Sequence, residues 1–337
     1  MRGLRRRRVS GDNRRGRSGV NKLSCEAALT LVALGVLVAS SATSEPSGCP
    51  PPELPARPAT AAPSLLERPE ILRDVLYDRQ EGVELRMDLL IPGRTDAAPV
   101  PVLFYPSAGG HAVPRNAFTD AALVHGFAVA CAQVRYFEEA SKFPDAIVDA
   151  KSAVRFLKAH ASEYAIDPER IVACGSSKNG MFSSMLGTMG EVTSYDVGRN
   201  LHVTSRVAGV VNFAGHTDLT AFYTDGVSDP QVMMDEATYE MKNLQFLDCH
   251  AFACDPIERA ASAITYVDPT DAPEMLVLGS EDPLVPVAQM TRFRDALLAS
   301  CVPAYLLIVD GAAHGVAREI GQAEIDYLLA FLEMYTE

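Results

Sequence analysis

Ile171-Val172-Ala173-Cys174-Gly175-Ser176-Ser177-Lys178-Asn179-Gly180 is the stretch on which the reading of this 337-residue chain turns. Four strand-type apolar residues run into Gly-Ser-Ser, and a helical pattern follows to about residue 189. A buried strand that reverses sharply into a helix lifts the turn residue above the sheet edge, at the positive end of the helix. Gly175 stands two residues before Ser177, where a Cβ would crowd the reversing chain. Asn179 stands two after it, where glycine is usual, and Asn tolerates left-handed backbone better than most residues. In isolation such a serine reads as a helix N-cap. The strand before it and the helix after it make Ser177 a candidate nucleophile. Ser176 is the poorer choice, because Lys178 would then fill the small-residue position two beyond it.

Outward from this turn, strand-length apolar runs alternate with helical patterns. Strands are expected over residues 83–91, 100–106, 127–134, 171–174, 207–214, 274–278 and 304–309. The run 127–134 is apolar on both parities, as a strand covered on both faces must be. Helices are expected over 145–164, with Ile147, Ala150, Val154 and Leu157 on one face and charges opposite, and over 317–335. This alternation predicts an α/β fold, a mostly parallel sheet with helices on both faces. Almost sixty residues separate the strand ending near Gly215 from the one starting near Glu274. An interval that long reads as a lid or substrate wall, against the alternative of a structural excursion.

Three further loops follow predicted strands. Ser107-Ala108-Gly109-Gly110-His111 is a glycine-rich turn whose backbone N–H groups can face a cavity. Gly279-Ser280-Glu281-Asp282-Pro283-Leu284-Val285-Pro286 sets an acid after the next-to-last strand, and Gly311-Ala312-Ala313-His314-Gly315 sets a histidine after the last. Alone, Asp282 reads as a turn acid and His314 as a surface histidine. The chain order Ser177, Asp282, His314, each at a carboxyl strand end, is the order for acyl transfer on an open α/β sheet. Glu281 is a spare acid beside Asp282. His216 and Asp218 follow the strand ending at Gly215; His216, like His111, is a candidate pocket residue. His125 and His160 sit near helix ends and read as surface residues.

On these motifs, with the Ile166-Asp167-Pro168-Glu169-Arg170-Ile171 lead-in, the chain resembles the α/β-hydrolase superfamily, in its carboxylesterase and feruloyl-esterase-like branch. The resemblance runs from about residue 71 to the C-terminus. It implies an α/β-hydrolase fold with a partial cap, and ester cleavage with Ser177 as nucleophile, His314 as base and Asp282 orienting it. It implies oxyanion donors at the N–H groups of Ala108, Gly109 and Lys178, and no metal or organic cofactor. The substrate implied is a small-molecule or polymer-linked ester. Three positions depart from the branch: Ser107-Ala108 in the glycine loop with His111 in place of an aromatic, Lys178 in place of alanine, and Asn179 in place of glycine. Lys178 puts a positive charge beside the oxyanion, suited to assisting it or to an acidic acyl group. Two alternatives stand: a prolyl-oligopeptidase-like serine peptidase, which shares the triad order, and a non-catalytic binding protein on a hydrolase fold.

The N-terminus reads separately. Residues 1–24 hold nine basic side chains and one acid; subtracting their +8 from the overall −13 leaves −21 on the rest. A body this acidic excludes nucleic acid as a partner. An apolar run from 27 to 39 and the small residues Ser40-Ser41-Ala42 follow, so 1–42 reads as an export signal. A retained membrane anchor through 26–42 is the alternative. Residues 43–64 are a Pro-rich linker and 65–337 the hydrolase domain, with a cap at about 216–273. Cys131 and Cys174 fall in strand runs and are expected as buried thiols. Cys249 and Cys254 invite a disulfide, with zinc held through His250 as the rival.

Overall fold

Among the described residues of the computed structural model, the strands are β1 (Glu67–Gln80), β2 (Val83–Gly93), β3 (Val100–Ser107), β4 (Ala128–Gln133), β5 (Ile166–Ser176), β6 (Gly209–Phe213), β7 (Glu274–Gly279) and β8 (Ala304–Val309). They form one sheet in the order β1-β2-β4-β3-β5-β6-β7-β8. Pairing is parallel from β4 across to β8, while β1 to β2 and β2 to β4 are antiparallel. Residues 49, 53–54, 67–93, 98–136, 142–250 and 253–336 are described, all within the unit Leu37–Glu337. The segment read as export signal or anchor, and most of the 43–64 linker, lie outside them. No helix among the described residues is long and apolar enough to cross a membrane.

The helices are α1 (Ala117–Val124), α2 (Asp145–Ala159), α3 (Lys178–Thr188), α4 (Leu219–Ser228), α5 (Glu236–Leu247), α6 (Asp255–Ala260), α7 (Val287–Ala299) and α8 (Gln322–Thr336). Crossovers between parallel strands are right-handed. The step β3–α1–β4 moves one way along the sheet, whereas β4–α2–β5, β5–α3–β6 and β7–α7–β8 move the other way. Consequently α1 lies on one face and α2, α3 and α7 on the other; α1 packs with α8, and α2 with α3. The sheet core is closed on both faces: Val129, Ala130, Val172, Ala173, Val210 and Leu276 have no exposed surface.

Four elements depart from the pattern read in the sequence. β1 was not anticipated: it carries register shifts, and Asp74 within it has φ 55°, so its apolar residues lose the two-residue period. α1 and α7 were also not anticipated. On α2 the charged face is not solvated. The chain after α3 covers it, so Lys151 Nζ donates to the carbonyls of Met189 and Val192 at 2.7 Å, and Arg155 pairs with Asp196 at 2.7 Å.

The interval between β6 and β7 contains α4, α5 and α6. It is clasped to α7, whose Arg292 reaches both Asp225, at 2.7 and 2.8 Å, and Asp218, at 3.3 Å. Gln289 accepts from the N–H groups of Thr217 and Asp218 and donates to the Asp218 carbonyl. Met233 N–H bonds the Pro283 carbonyl, one residue beyond Asp282, at 2.8 Å.

Cys131 and Cys174 are buried thiols as expected. Cys249 and Cys254 are disulfide-bonded, which leaves zinc without its sulfur ligands there. A second disulfide, Cys49–Cys301, joins residues 252 apart and was not anticipated. His125 and His160 cap α1 and α2 and are each partly exposed. His125 is half-buried beside Glu333, and His160 stacks on Phe156 at 4.1 Å with its Nδ1 2.9 Å from the Phe156 carbonyl.

Candidate active site

The strand order reverses around β3: the chain runs from β3 to β4 on one side, then crosses to β5 on the other. Two helices leaving to opposite faces open a crevice at the carboxyl ends of β3 and β5, where open α/β sheets place their sites. Ala108–Gly110 follows β3, which ends at Ser107, and Ser177 follows β5. Ser177 has φ 58° and ψ −126°, a strained conformation for a non-glycine residue that projects its side chain from the turn. Its N–H donates to the Phe213 carbonyl at 2.8 Å, tying the turn to the end of β6. A Cβ on Gly175 would overlap the backbone carbonyl of Asn179, so glycine there is a requirement of the reversal.

His314 is placed between the other two predicted residues. Its Nε2 lies 2.9 Å from Ser177 Oγ, and its Nδ1 lies 2.9 Å from Asp282 Oδ2 and 3.2 Å from Oδ1. With Nδ1 carrying the proton, the serine hydroxyl donates to Nε2 and Nδ1–H donates to the carboxylate. Asp282 is buried and Glu281 exposed. The N–H groups of Leu284 and Val285 donate to Asp282 Oδ1 at 2.8 and 3.0 Å, which fixes the face it offers to the imidazole. The two loops are knit together. Glu281 N–H bonds the Ala312 carbonyl at 2.9 Å, and a side chain at Gly279 would collide with that carbonyl. Glu319 Oε2 accepts from Ala313 N–H at 3.0 Å and braces the histidine loop from below, a role no sequence motif announced.

The glycine loop is held from several directions. Ala108 N–H donates to Asn179 Oδ1 at 3.0 Å, and Gly109 N–H to Ser107 Oγ at 3.3 Å. His111 Nε2 lies 2.9 Å from Asp74 and 3.7 Å from Asp88, which anchors its ring to the edge strands β1 and β2. His216 lies against Phe222 with ring centroids 4.1 Å apart, at the root of the cap. Lys178 extends its ammonium to 4.4 Å from the centre of the Tyr136 ring. Tyr136 in turn packs on Phe246 of α5 and Phe182 of α3, at 5.4 and 5.8 Å. Burial lowers the Lys178 ammonium from its ordinary value and pushes the Tyr136 phenol up to about 12. Tyr136 and Phe246 were missed by the sequence reading. They come from distant parts of the chain, after β4 and in α5, and no local spacing links them.

Residues 87–297, more than half of the chain, match the family BD-FAE. The chain belongs to the BD-FAE family. A curated relative, the probable carboxylic ester hydrolase LipM of Mycobacterium tuberculosis, is 30% identical over 175 residues, half of this chain. The matched part is 37% of that protein's length, so the chain spans little over a third of it. Among solved structures, a truncated carbohydrate esterase from gut microbiota aligns over 79% of this chain and 96% of its own, with TM-score 0.62 and 24% identity. Butyrate-bound esterase Est2 of the planctomycete Thermogutta terrifontis aligns over 81% and 93%, with TM-score 0.57 and 21% identity. These likenesses establish the α/β-hydrolase fold of this BD-FAE member. The mostly parallel sheet is part of it.

Proposed function

We propose that the protein hydrolyses carboxylic esters through an acyl-serine on Ser177. The observation that carries this is the hydrogen-bonded series Ser177 Oγ, His314 imidazole, Asp282 carboxylate, with bonds of 2.9 Å on either side of the ring. Ser177 Oγ attacks the ester carbonyl as His314 Nε2 takes its proton, and Asp282 stabilises the imidazolium. Charge on the carbonyl oxygen is met by backbone N–H groups at the start of α3 and in the 107–110 loop. His314 then returns the proton to the departing alkoxide. A water deprotonated by the same nitrogen releases the acid and restores Ser177. The name of the mycobacterial relative supports ester substrates over amides. The intact series favours an enzyme over a binding module. The substrate class is a small or aromatic acyl ester, free or polymer-linked.

Export is the localisation we propose. Two disulfides suit an oxidising compartment, and the arginine-rich, then apolar, then small order of residues 1–42 suits a signal. The mature N-terminus, read by mass spectrometry, tests this: a start at Met1 or Arg2 would overturn it.

The function is tested with p-nitrophenyl acetate, butyrate and octanoate, comparing the purified protein with Ser177→Ala. A loss of ~10⁴-fold or more is expected in the variant. Equal rates from the two would overturn the assignment of Ser177.

A further inference from the structure

Asn179 stands where this fold usually keeps a glycine, and the structure gives its side chain a definite task. Its Oδ1 accepts the N–H of Ala108 at 3.0 Å, across 71 residues of sequence. The Ala108 side chain is buried, so the bond fixes a loop position that packing also holds. Asn179 itself is anchored through its backbone: its carbonyl accepts from Ser183 Oγ at 2.9 Å and lies against Gly175 at the root of the turn. At its other end the loop is held by His111 on Asp74, while the Cys131 thiol lies 4.0 Å from the Gly110 carbonyl.

This arrangement bears on which N–H groups meet the developing oxyanion. The amide of Ala108 is occupied by a carboxamide oxygen in good geometry. The amide of Gly109 has only a longer contact, 3.3 Å to Ser107 Oγ, and belongs to an exposed residue. The N–H of Lys178 belongs to the first turn of α3, where N–H groups face out of the helix N-terminus.

We propose that Asn179 is a positioning residue that pins the oxyanion loop to the nucleophile turn through Ala108 N–H, leaving Gly109 and Lys178 N–H as the oxyanion donors. Ala108, expected as a donor from its place in the loop, is by this inference a structural contact. The inference rests on the Ser177 reading above. In a chain with glycine at position 179 the loop would lack this strut. Here the strut supplies rigidity to a loop that has Ser107-Ala108 at its start. Donors held in place before reaction stabilise the tetrahedral oxyanion without reorganising. A small displacement of such donors costs rate far more than it costs ground-state binding.

The test compares the full chain with Asn179→Ala, Asn179→Gly, Asn179→Asp and Ser177→Ala. Active serines are titrated with a fluorophosphonate, so that kcat is taken per folded site and a folding defect is not mistaken for a catalytic one. For the Ala and Gly variants the expected result is a fall in kcat of about 10- to 100-fold, with KM within about threefold of the parent. The inhibition constant of a trifluoromethyl ketone, whose hemiketal places an oxyanion in the hole, should weaken by the same factor as kcat/KM. A merely structural role would not produce that match. Asp keeps an acceptor for Ala108 but adds charge beside the oxyanion. Its activity relative to the parent should therefore rise as pH is lowered and its carboxylate is protonated. A Gly variant with kcat equal to or above the parent would overturn the proposal, because Ala108 N–H would then serve as a donor once released. An unchanged ketone constant would overturn it as well. Both results would leave the Ser177 mechanism standing. Equal rates from the parent and Ser177→Ala would overturn that mechanism, and this inference with it.

Discussion

Asp282 holds His314 from the side away from Ser177, 2.9 Å from Nδ1, while its Oδ1 accepts two backbone N–H groups of its own loop. The carboxylate therefore selects the imidazole tautomer that leaves Nε2 as an acceptor toward Ser177. Replacing Asp282 by Asn would present an amide that can donate to Nδ1 and so stabilise the other tautomer. Esterase kcat is expected to fall ~10⁴-fold with the fold intact. Steady-state kinetics together with a melting curve check this; a loss under tenfold would mean that Asp282 does not set the tautomer.

Arg292 bridges α7 to Asp225 and Asp218 at the root of the cap. The guanidinium is part-exposed, so solvent screening leaves the clasp about 1 kcal/mol of stability. Arg292→Ala should lower Tm by about 2–4 °C and raise KM for the longer acyl esters more than it lowers kcat. The variant should also be cut sooner within residues 219–260 by limited proteolysis. Unchanged proteolysis would show that the cap is held by its packing alone.

Glu274, the first residue of β7, is fully buried, and burial pushes its carboxyl from 4.5 up to about 8. Ser184 Oγ donates to Oε2 at 2.9 Å, while Oε1 has no hydrogen-bond partner among the described residues. The folded form thus keeps a proton that the unfolded chain gives up near the ordinary value. Stability is full below that ordinary value and declines as pH rises through about 8. Glu274→Gln should melt at least about 2 °C above the parent at alkaline pH, with the gap closing in mild acid. Asp271, pushed up to about 7 by burial, would leave the variant some slope of its own. Parallel melting curves across the pH range would refute the assignment.

The Cys49–Cys301 disulfide spans 252 residues of sequence, and Cys249–Cys254 spans 5. Loop-closure entropy assigns the long closure roughly 5–6 kcal/mol and the short one much less. Non-reducing peptide mapping should recover a Cys49–Cys301 linked pair. Cys301→Ser should lower Tm by several degrees more than Cys254→Ser. Free thiols at Cys49 and Cys301 in the purified protein would contradict the pairing.

Ser177 and Asp282, two of the three residues that the fold brings together, were legible in the sequence because each follows a strand that is buried on both faces; His314 was legible because it follows the next strand-length apolar run. Runs such as Val172-Ala173-Cys174 and Leu276-Val277-Leu278 have no polar parity, so their ends are unambiguous, and the residues at those ends sit at one edge of a parallel sheet. β1 was not legible. Its Pro69, its acids and its bulge at Asp74 break the alternation by which an edge strand is recognised. The charged face of α2 was misread for a different reason. Periodicity reports only that Lys151 and Arg155 share a face; it cannot report that the 189–199 segment folds back to supply carbonyls and Asp196.

By itself the sequence determined the α/β class, the turn at Gly175-Ser176-Ser177 and the order Ser177, Asp282, His314. These rest on local rules: strand periodicity, the steric demand of a reversing chain and the place of loops at strand ends. Tertiary structure alone decided what the departures do. Asn179 bonds an amide 71 residues away, Tyr136 receives Lys178 on its ring, and His111 turns to Asp74. Each is a contact between groups from distant parts of the chain. Such contacts depend on strand order and helix crossing, which set distances that no spacing along the sequence encodes.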